Sequence, residues 1–210
     1  MEKIIVIGTG GLAREFSAFF SNVVEIVGFS STDKDEHQKF SLPGKFFNDA
    51  LSPSTVGTDK CVIAVGNPVG KEQISKELGA KGFQFPNLIH PSAVVASKVA
   101  DSESKGIIIS PNCTIGSEVT FGDHVYLNFM VGVGHDCKFD GYIQINPGVQ
   151  IGGFAHIKSH VLIGSNSTIR QGLIVEPSAT VGLGSVVLTR VRGDITVLGN
   201  PARKLKLPGA

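Results

Sequence analysis

The sequence predicts two architectures in one chain, a small α/β Rossmann-like domain over residues 1–86 and a parallel β-helix over residues 87–210. Three observations carry this. An apolar residue recurs at every sixth position from Ile109 to Val187 with no polar interruption. A second register of mostly small or β-branched residues runs four positions behind it, from Cys113 to Val191. Upstream of both, short apolar runs alternate with segments of helical spacing, the pattern of βαβ units.

Composition sets the frame for these elements. A chain of 210 residues with 41% hydrophobic content can build one large or two small domains, each with its own core. Lys plus Arg is 19 and Asp plus Glu is 18, so net charge points to neither a nucleic-acid nor an anionic-membrane partner. Cys61, Cys113 and Cys137 are odd in number, widely spaced and without zinc-type pairing, which fits reduced thiols in a cytoplasmic protein. No apolar run reaches the roughly 18 residues of a membrane span.

Taking the elements in order, KIIVIG is a short apolar strand that runs into the turn GTGG. In LAREFSAFFSN, Leu12, Phe16, Phe19 and Phe20 follow helical spacing, and VEIVGFS resumes as a strand. CVIAVGN, Cys61 to Asn67, reads as a further strand, followed by a helix from Pro68 to about Leu78, with the proline suited to a first helical turn. Gly8, Gly10 and Gly11 fall short of a full G-x-G-x-x-G because Ala13 stands at its last position. Two readings of this turn stay open: a tight strand-to-helix connection, or backbone amides that contact a phosphate at a helix N-terminus. Gly10 and Gly11 would form the turn. Arg14 would offer a forked cation to a phosphate, and Asn67 would end a strand at the same edge of the sheet. After the second strand the residues are Phe29, Ser30, Ser31, Thr32 and Asp33, with no immediate acid to mark a ribose or base site.

In the second half a helix is excluded, because a period of six matches no multiple of 3.6 over this length and the glycines disfavour it. Strand-plus-turn units of six residues, stacked so that each buries its apolar side against equivalents above and below, satisfy the pattern. Gly, Asn and Asp crowd the position after the first register, at Gly116, Gly122, Asn128, Gly134, Asp140, Asn146, Gly152, Gly164 and Gly182, so this phase is expected to hold the turns. Ile89 and Val95 keep a period of six but stand out of phase with Ile109, and the run DSESKG, Asp101 to Gly106, is expected to absorb a two-residue excess. In VGVGHDCKFDG, His135 and Asp136 lie between inward Val133 and Cys137, so the histidine should point outward. It is either a polar turn on a solvated edge or a general base, imidazole being the side chain whose ordinary pKa is near neutrality.

With GHDC, the following INPGVQIGG, the N-terminal GTGGLARE and the ending GNPARKLK, the chain resembles the hexapeptide-repeat acyltransferases from Leu88 to about Lys204. Within them it looks most like the sugar acyltransferases that carry a small N-terminal nucleotide-sugar domain, of the sialic acid O-acetyltransferase and bacterial nucleotide-amino-sugar N-acetyltransferase types. The resemblance implies a left-handed parallel β-helix with three six-residue faces per coil, against the general preference for right-handed crossovers. It also implies acetyl-CoA as acyl donor, no metal, and a homotrimer with sites between subunits. The acceptor would be the amino group of a nucleotide-linked 4-amino-deoxysugar or, alternatively, a sugar hydroxyl.

On that resemblance His135 is the base and Asp136 its acidic helper. Gly153, one coil along, would admit the thioester and offer its N–H to the oxyanion, or would be a glycine needed only for corner geometry. Asn128 matches a sugar-contacting asparagine, and Gln144 stands where some relatives carry a second histidine and would face the cofactor. The pantetheine would run from Gly153 past Gly172, Ile174 and Leu183, with Arg190 or Lys204 at the CoA phosphates. Two other readings remain. The γ-class carbonic anhydrases share the β-helix, and His124, His156 and His160 could supply zinc only across a suitable interface. A β-helix that binds sugar nucleotide without catalysis is the third.

Overall fold

The computed structural model describes residues 1–48, 51–99 and 103–205. The chain divides into two compact units, Met1–Pro86 and Asn87–Ala210.

The first unit is a parallel sheet in the order β3-β2-β1-β4, built from β1 (Glu2–Ile7), β2 (Val24–Ser30), β3 (Lys45–Phe47) and β4 (Cys61–Ile63). Ile4, Ile5 and Val6 are fully buried, as a central strand with a run of β-branched residues should be. Helix α1 (Gly11–Phe20) buries Ala13, Phe16 and Phe20, with the two phenyl rings stacked at 4.6 Å. Strand β4 is shorter than the CVIAVGN run, because its partner β1 ends at Ile7 opposite Ile63 and offers nothing further to pair with. Asn67 instead caps helix α4 (Pro68–Ala80), its Oδ1 accepting the Gly70 N–H at 2.8 Å. That helix runs two residues beyond Leu78. Between β2 and β4 lie α2 (Lys34–Lys39) and α3 (Pro53–Val56), short elements with no periodic apolar face in the sequence; α2 buries no residue at all.

The second unit is a β-helix of three parallel faces, almost all of its strands two residues long. The first face includes Ile108–Ile109, Tyr126–Leu127, Gln144–Ile145, Leu162–Ile163 and Thr180–Val181. The second includes Thr114–Ile115, Gly132–Val133, Gln150–Ile151, Thr168–Ile169 and Val186–Val187. The third holds Thr120–Phe121, Lys138–Phe139, His156–Ile157 and Ile174–Val175. Pairings such as Leu127 with Ile145 and Val133 with Ile151 fix a coil of 18 residues. All fourteen residues of the first register are buried, Phe121 being the most exposed at 8%, and so is every residue of the second. Each isoleucine so placed contributes about 1.5–3 kcal/mol of burial, repeated down the stack.

The register slips at both ends. Ile89 pairs with Ile109, a coil of 20 residues, and Val181 pairs with Val197, a coil of 16. Asp101 and Ser102 of the expected DSESKG loop lie outside the described residues. The stack closes on Arg203–Lys204, which turns back antiparallel to Thr196–Leu198.

The expected turn phase needs correction. Left-handed backbone falls two positions later, at Asn112, Glu118, His124, Met130, Asp136, Tyr142, Phe154, His160, Asn166 and Ser178. The glycines that follow the first register answer to space. A Cβ on Gly116 would stand 2.7 Å from the His135 nitrogen one coil away, and one on Gly152 would stand 2.6 Å from that of Gln171. Among the described residues no helix is long and apolar enough to cross a membrane.

Candidate active site

His135 sits on the edge where the chain leaves the second face at Val133 and enters the third at Lys138. Buried Cys137 anchors the turn, and Asp136 takes the left-handed position at φ 57°, a conformation that aspartate tolerates better than most residues. The imidazole is half exposed, and its Nδ1 lies 2.7 Å from Asp136 Oδ2. A carboxylate only accepts, so this bond places the proton on Nδ1 and leaves the Nε2 lone pair open.

Gly153 lies beside that Nε2. A Cβ there would stand 2.9 Å from Nε2 and 3.0 Å from Cε1 of His135. Its φ is not among the left-handed glycines, so corner geometry does not require it; the imidazole does. The Gly153 carbonyl accepts the Gly172 N–H, and the His135 carbonyl accepts the Phe154 N–H, both at 2.9 Å. The Gly153 N–H has no acceptor among the described residues. Phe154, exposed, meets the His135 ring edge-on at 4.9 Å and was not signalled by the sequence pattern. On the adjoining second face a shallow groove of about 460 Å³ runs between Gly132, Gly134, Gln150, Gly152 and Thr168, reaching the residues next to His135 and Gly153.

Other expected contacts are placed differently. Asn128 is buried, and its Oδ1 accepts the N–H of Phe129 at 2.8 Å. Gln144 is 1% exposed, with Nε2 donating to Asn146 Oδ1. Neither presents its amide to solvent as a surface contact would. Gly172 shares the edge of His135 and Gly153, whereas Ile174 begins the next face and Leu183 stands on the edge between the first and second faces. One chain therefore has no single strip passing all four. Arg190 is engaged by Glu176, which also accepts from Lys158 at 3.1 Å; the Lys158 hydrogen bond foremost, then Arg190, holds the Glu176 carboxyl below its ordinary range. Lys204 is exposed in the closing strand.

A second histidine–carboxylate pair escaped the sequence reading: His156 Nε2 lies 2.7 Å from Asp140 Oδ1. The 18-residue stacking rule contains the signal, since Asp140 stacks under Lys158, two positions past His156. This pairing also separates the histidines of the zinc reading. Tyr142 is stacked between His124 and His160, at 5.4 and 5.5 Å, while His156 faces Asp140. The three do not converge within one chain. Burial pushes all three thiols up, Cys113 to about 11.

In the first unit the GTGG turn leaves the α1 N-terminus without a side-chain cap at Gly10. Gly11 stands close to the Arg14 guanidinium, which lies 3.7 Å over the Phe40 ring, and Arg14 Nη1 is buried with no hydrogen-bond partner among the described residues. An acid is present here after all. Glu36 Oε2 accepts from Thr9 at 3.0 Å, brought to the turn by α2, whose cap is Asp33. At the carboxyl ends of β1, β2 and β4 a separate cleft of about 470 Å³ opens beside Gly8. Gly10, Gly11, Arg14 and Asn67 do not line it.

No family model matches the chain. It is 33% identical over 91 residues to the GDP-perosamine N-acetyltransferase of Escherichia coli O157:H7, a match over 43% of this chain and 40% of that protein. The aligned stretch thus spans less than half the length of this curated relative. Among solved structures, the acetyltransferase domain of PglB from Neisseria gonorrhoeae FA1090 is 26% identical with a TM-score of 0.82, covering 98% of this chain and 100% of that one. PerB from Caulobacter crescentus, solved with CoA and GDP-perosamine, is 20% identical with a TM-score of 0.86, covering 98% of each chain. The fold, an α/β unit followed by a hexapeptide-repeat β-helix, is that of these acetyltransferases.

Proposed function

We infer that the chain belongs to the hexapeptide-repeat sugar acetyltransferases and moves the acetyl group of acetyl-CoA onto the amino group of a nucleotide-linked 4-amino-deoxysugar. The observation that carries this reading is the alignment of Asp136, His135 and Gly153, with Nδ1 held at 2.7 Å and Nε2 lying where a Cβ on residue 153 would displace it. The relatives named for N-acetylation of GDP-perosamine support the choice of an amine acceptor.

Asp136 fixes the tautomer, so Nε2 accepts a proton as the amine attacks the thioester carbonyl. The N–H of Gly153 is available to the oxygen that becomes negative. Collapse of the tetrahedral intermediate breaks the C–S bond, and the leaving CoA thiolate takes the proton from the imidazolium. Transfer is direct, in a ternary complex. A thiol must ionise to serve as nucleophile, and burial holds Cys113 and Cys137 in the neutral form.

The uncapped α1 N-terminus and the unpartnered Arg14 Nη1 support a phosphate of the sugar nucleotide in the first unit. Leu183 and Gly172 stand on different edges, so a pantetheine groove passing both takes contributions from two copies; this, with the exposed side chains of Met130, Phe154 and Leu183, supports a homotrimer. We place the reaction in the cytoplasm, where acetyl-CoA and nucleotide sugars are made.

The test is CoA release from acetyl-CoA with GDP-, UDP- and dTDP-linked 4-amino sugars and with free sialic acid as acceptors. Release dependent on an amino sugar nucleotide is expected, with a rate that rises from about pH 6 to pH 9 as the amine loses its proton. Turnover with sialic acid alone would replace the amine by a hydroxyl, and turnover with none of them would remove the assignment.

A further inference from the structure

We propose that Phe154 is a positioning residue that holds the His135 imidazole over the gap at Gly153; this rests on the reading that His135 is the base. Asp136 fixes the tautomer of that ring but not its direction. The two side chains belong to neighbouring residues and are 52% and 41% exposed, so they can swing together with their hydrogen bond intact, and a bond between exposed groups does little to hold them in place. Gly153 gives the ring room rather than a wall. A contact from outside the turn is therefore needed, and Phe154 supplies one.

The Phe154 ring meets the imidazole at 4.9 Å between centroids with the two planes at 89°, the T-shaped arrangement that aromatic rings favour. Its backbone is tied to the residue it touches, since the Phe154 N–H donates to the His135 carbonyl at 2.9 Å. With 18 residues to a coil, Phe154 stacks over Asp136 and Gly172 over Phe154. The ring thus leans across the edge to reach His135, and the next coil has no side chain at that position to draw it away. Phe154 holds left-handed backbone at φ 59°, unfavourable for a bulky residue, and it is 54% exposed. Neither the turn nor the apolar core calls for a phenyl group there; the imidazole does.

Steady-state kinetics on the full chain test this, with acetyl-CoA and the GDP-, UDP- or dTDP-linked 4-amino sugar that supports CoA release. The rate of turnover scales with the fraction of molecules whose imidazole is aimed, and an edge-to-face contact is worth about a three- to tenfold change in that fraction. Phe154→Ala should therefore lower kcat about three- to tenfold and leave both KM values within about twofold. Phe154→Tyr, which keeps the ring, should restore kcat to within about twofold of wild type. In a His135→Ala background, Phe154→Ala should cost less than about twofold, because the ring has nothing left to aim. The side chain fills no core position, so the variants keep the fold. Equal losses in the two backgrounds, a rise in KM at unchanged kcat, or no loss in Phe154→Ala overturns the positioning role and leaves His135 as the base. A loss that follows dissociation of an oligomer and disappears at higher protein concentration also overturns it, giving the ring to an interface between copies. Wild-type turnover in folded His135→Ala overturns both.

Discussion

His135 and Gly153 restrict each other across one coil, and that restriction can be measured. Gly153→Ala would set a methyl 2.9 Å from Nε2, closer than real contacts allow, so the ring must swing away from the reacting amine. We expect kcat to fall by about 10²-fold or more, and His135→Ala to lower it by about 10²- to 10⁴-fold, with unchanged circular dichroism in both. Because the two act as a unit, the double variant should lose little beyond His135→Ala alone. Wild-type turnover in folded His135→Ala would remove it from the mechanism. The His135–Asp136 pair was legible because both residues sit in one turn, and Gly153 followed from the coil length. Asn128 and Gln144 are buried, and the sequence did not show it, because phase tells which way a side chain leaves the strand, not what then covers it. Glu36 at the GTGG turn depends on a contact between separate elements, which no local pattern records, whereas the His156–Asp140 pair follows only once the 18-residue coil is applied to Asp140.

At the level of elements, the β-helix was readable because every buried position repeats the same chemical choice. The small α2, β3 and α3 were not, having too few apolar residues to show a period. The same contrast governs stability. Ile163 is fully buried between Ile145 and Val181 in the stack, and Ile163→Ala should cost about 2–5 kcal/mol, while Thr120→Ala on the exposed side of a strand should stay within about 0.5 kcal/mol. Thermal unfolding distinguishes them, and equal losses would contradict the inward register. Both irregular coils depart from 18 residues by two, never by one. With a side-chain period of two, an even change preserves which residues face inward, whereas an odd one would turn the apolar register outward.

For the whole molecule, the proposed function assigns a different ligand to each unit. Arg14→Ala, or a bulky residue in place of Gly10, should weaken binding of the sugar nucleotide while leaving the acetyl-CoA Kd within about threefold, under ~0.7 kcal/mol. Calorimetry with each ligand separately checks this, and loss of acetyl-CoA affinity with nucleotide affinity kept would reverse the assignment. The closing strand bears on a different property. A stack of parallel rungs is open at its ends, and an unpaired rung is a template for another chain. The first face runs from Leu88–Ile89 at one end to Arg203–Lys204 at the other. Because that last rung reverses direction and carries two cations, a second molecule arriving with Leu88–Ile89 meets neither a parallel partner nor an apolar one. End-to-end polymerisation into fibres, the hazard built into any repeating β architecture, is thereby resisted at this face by two residues.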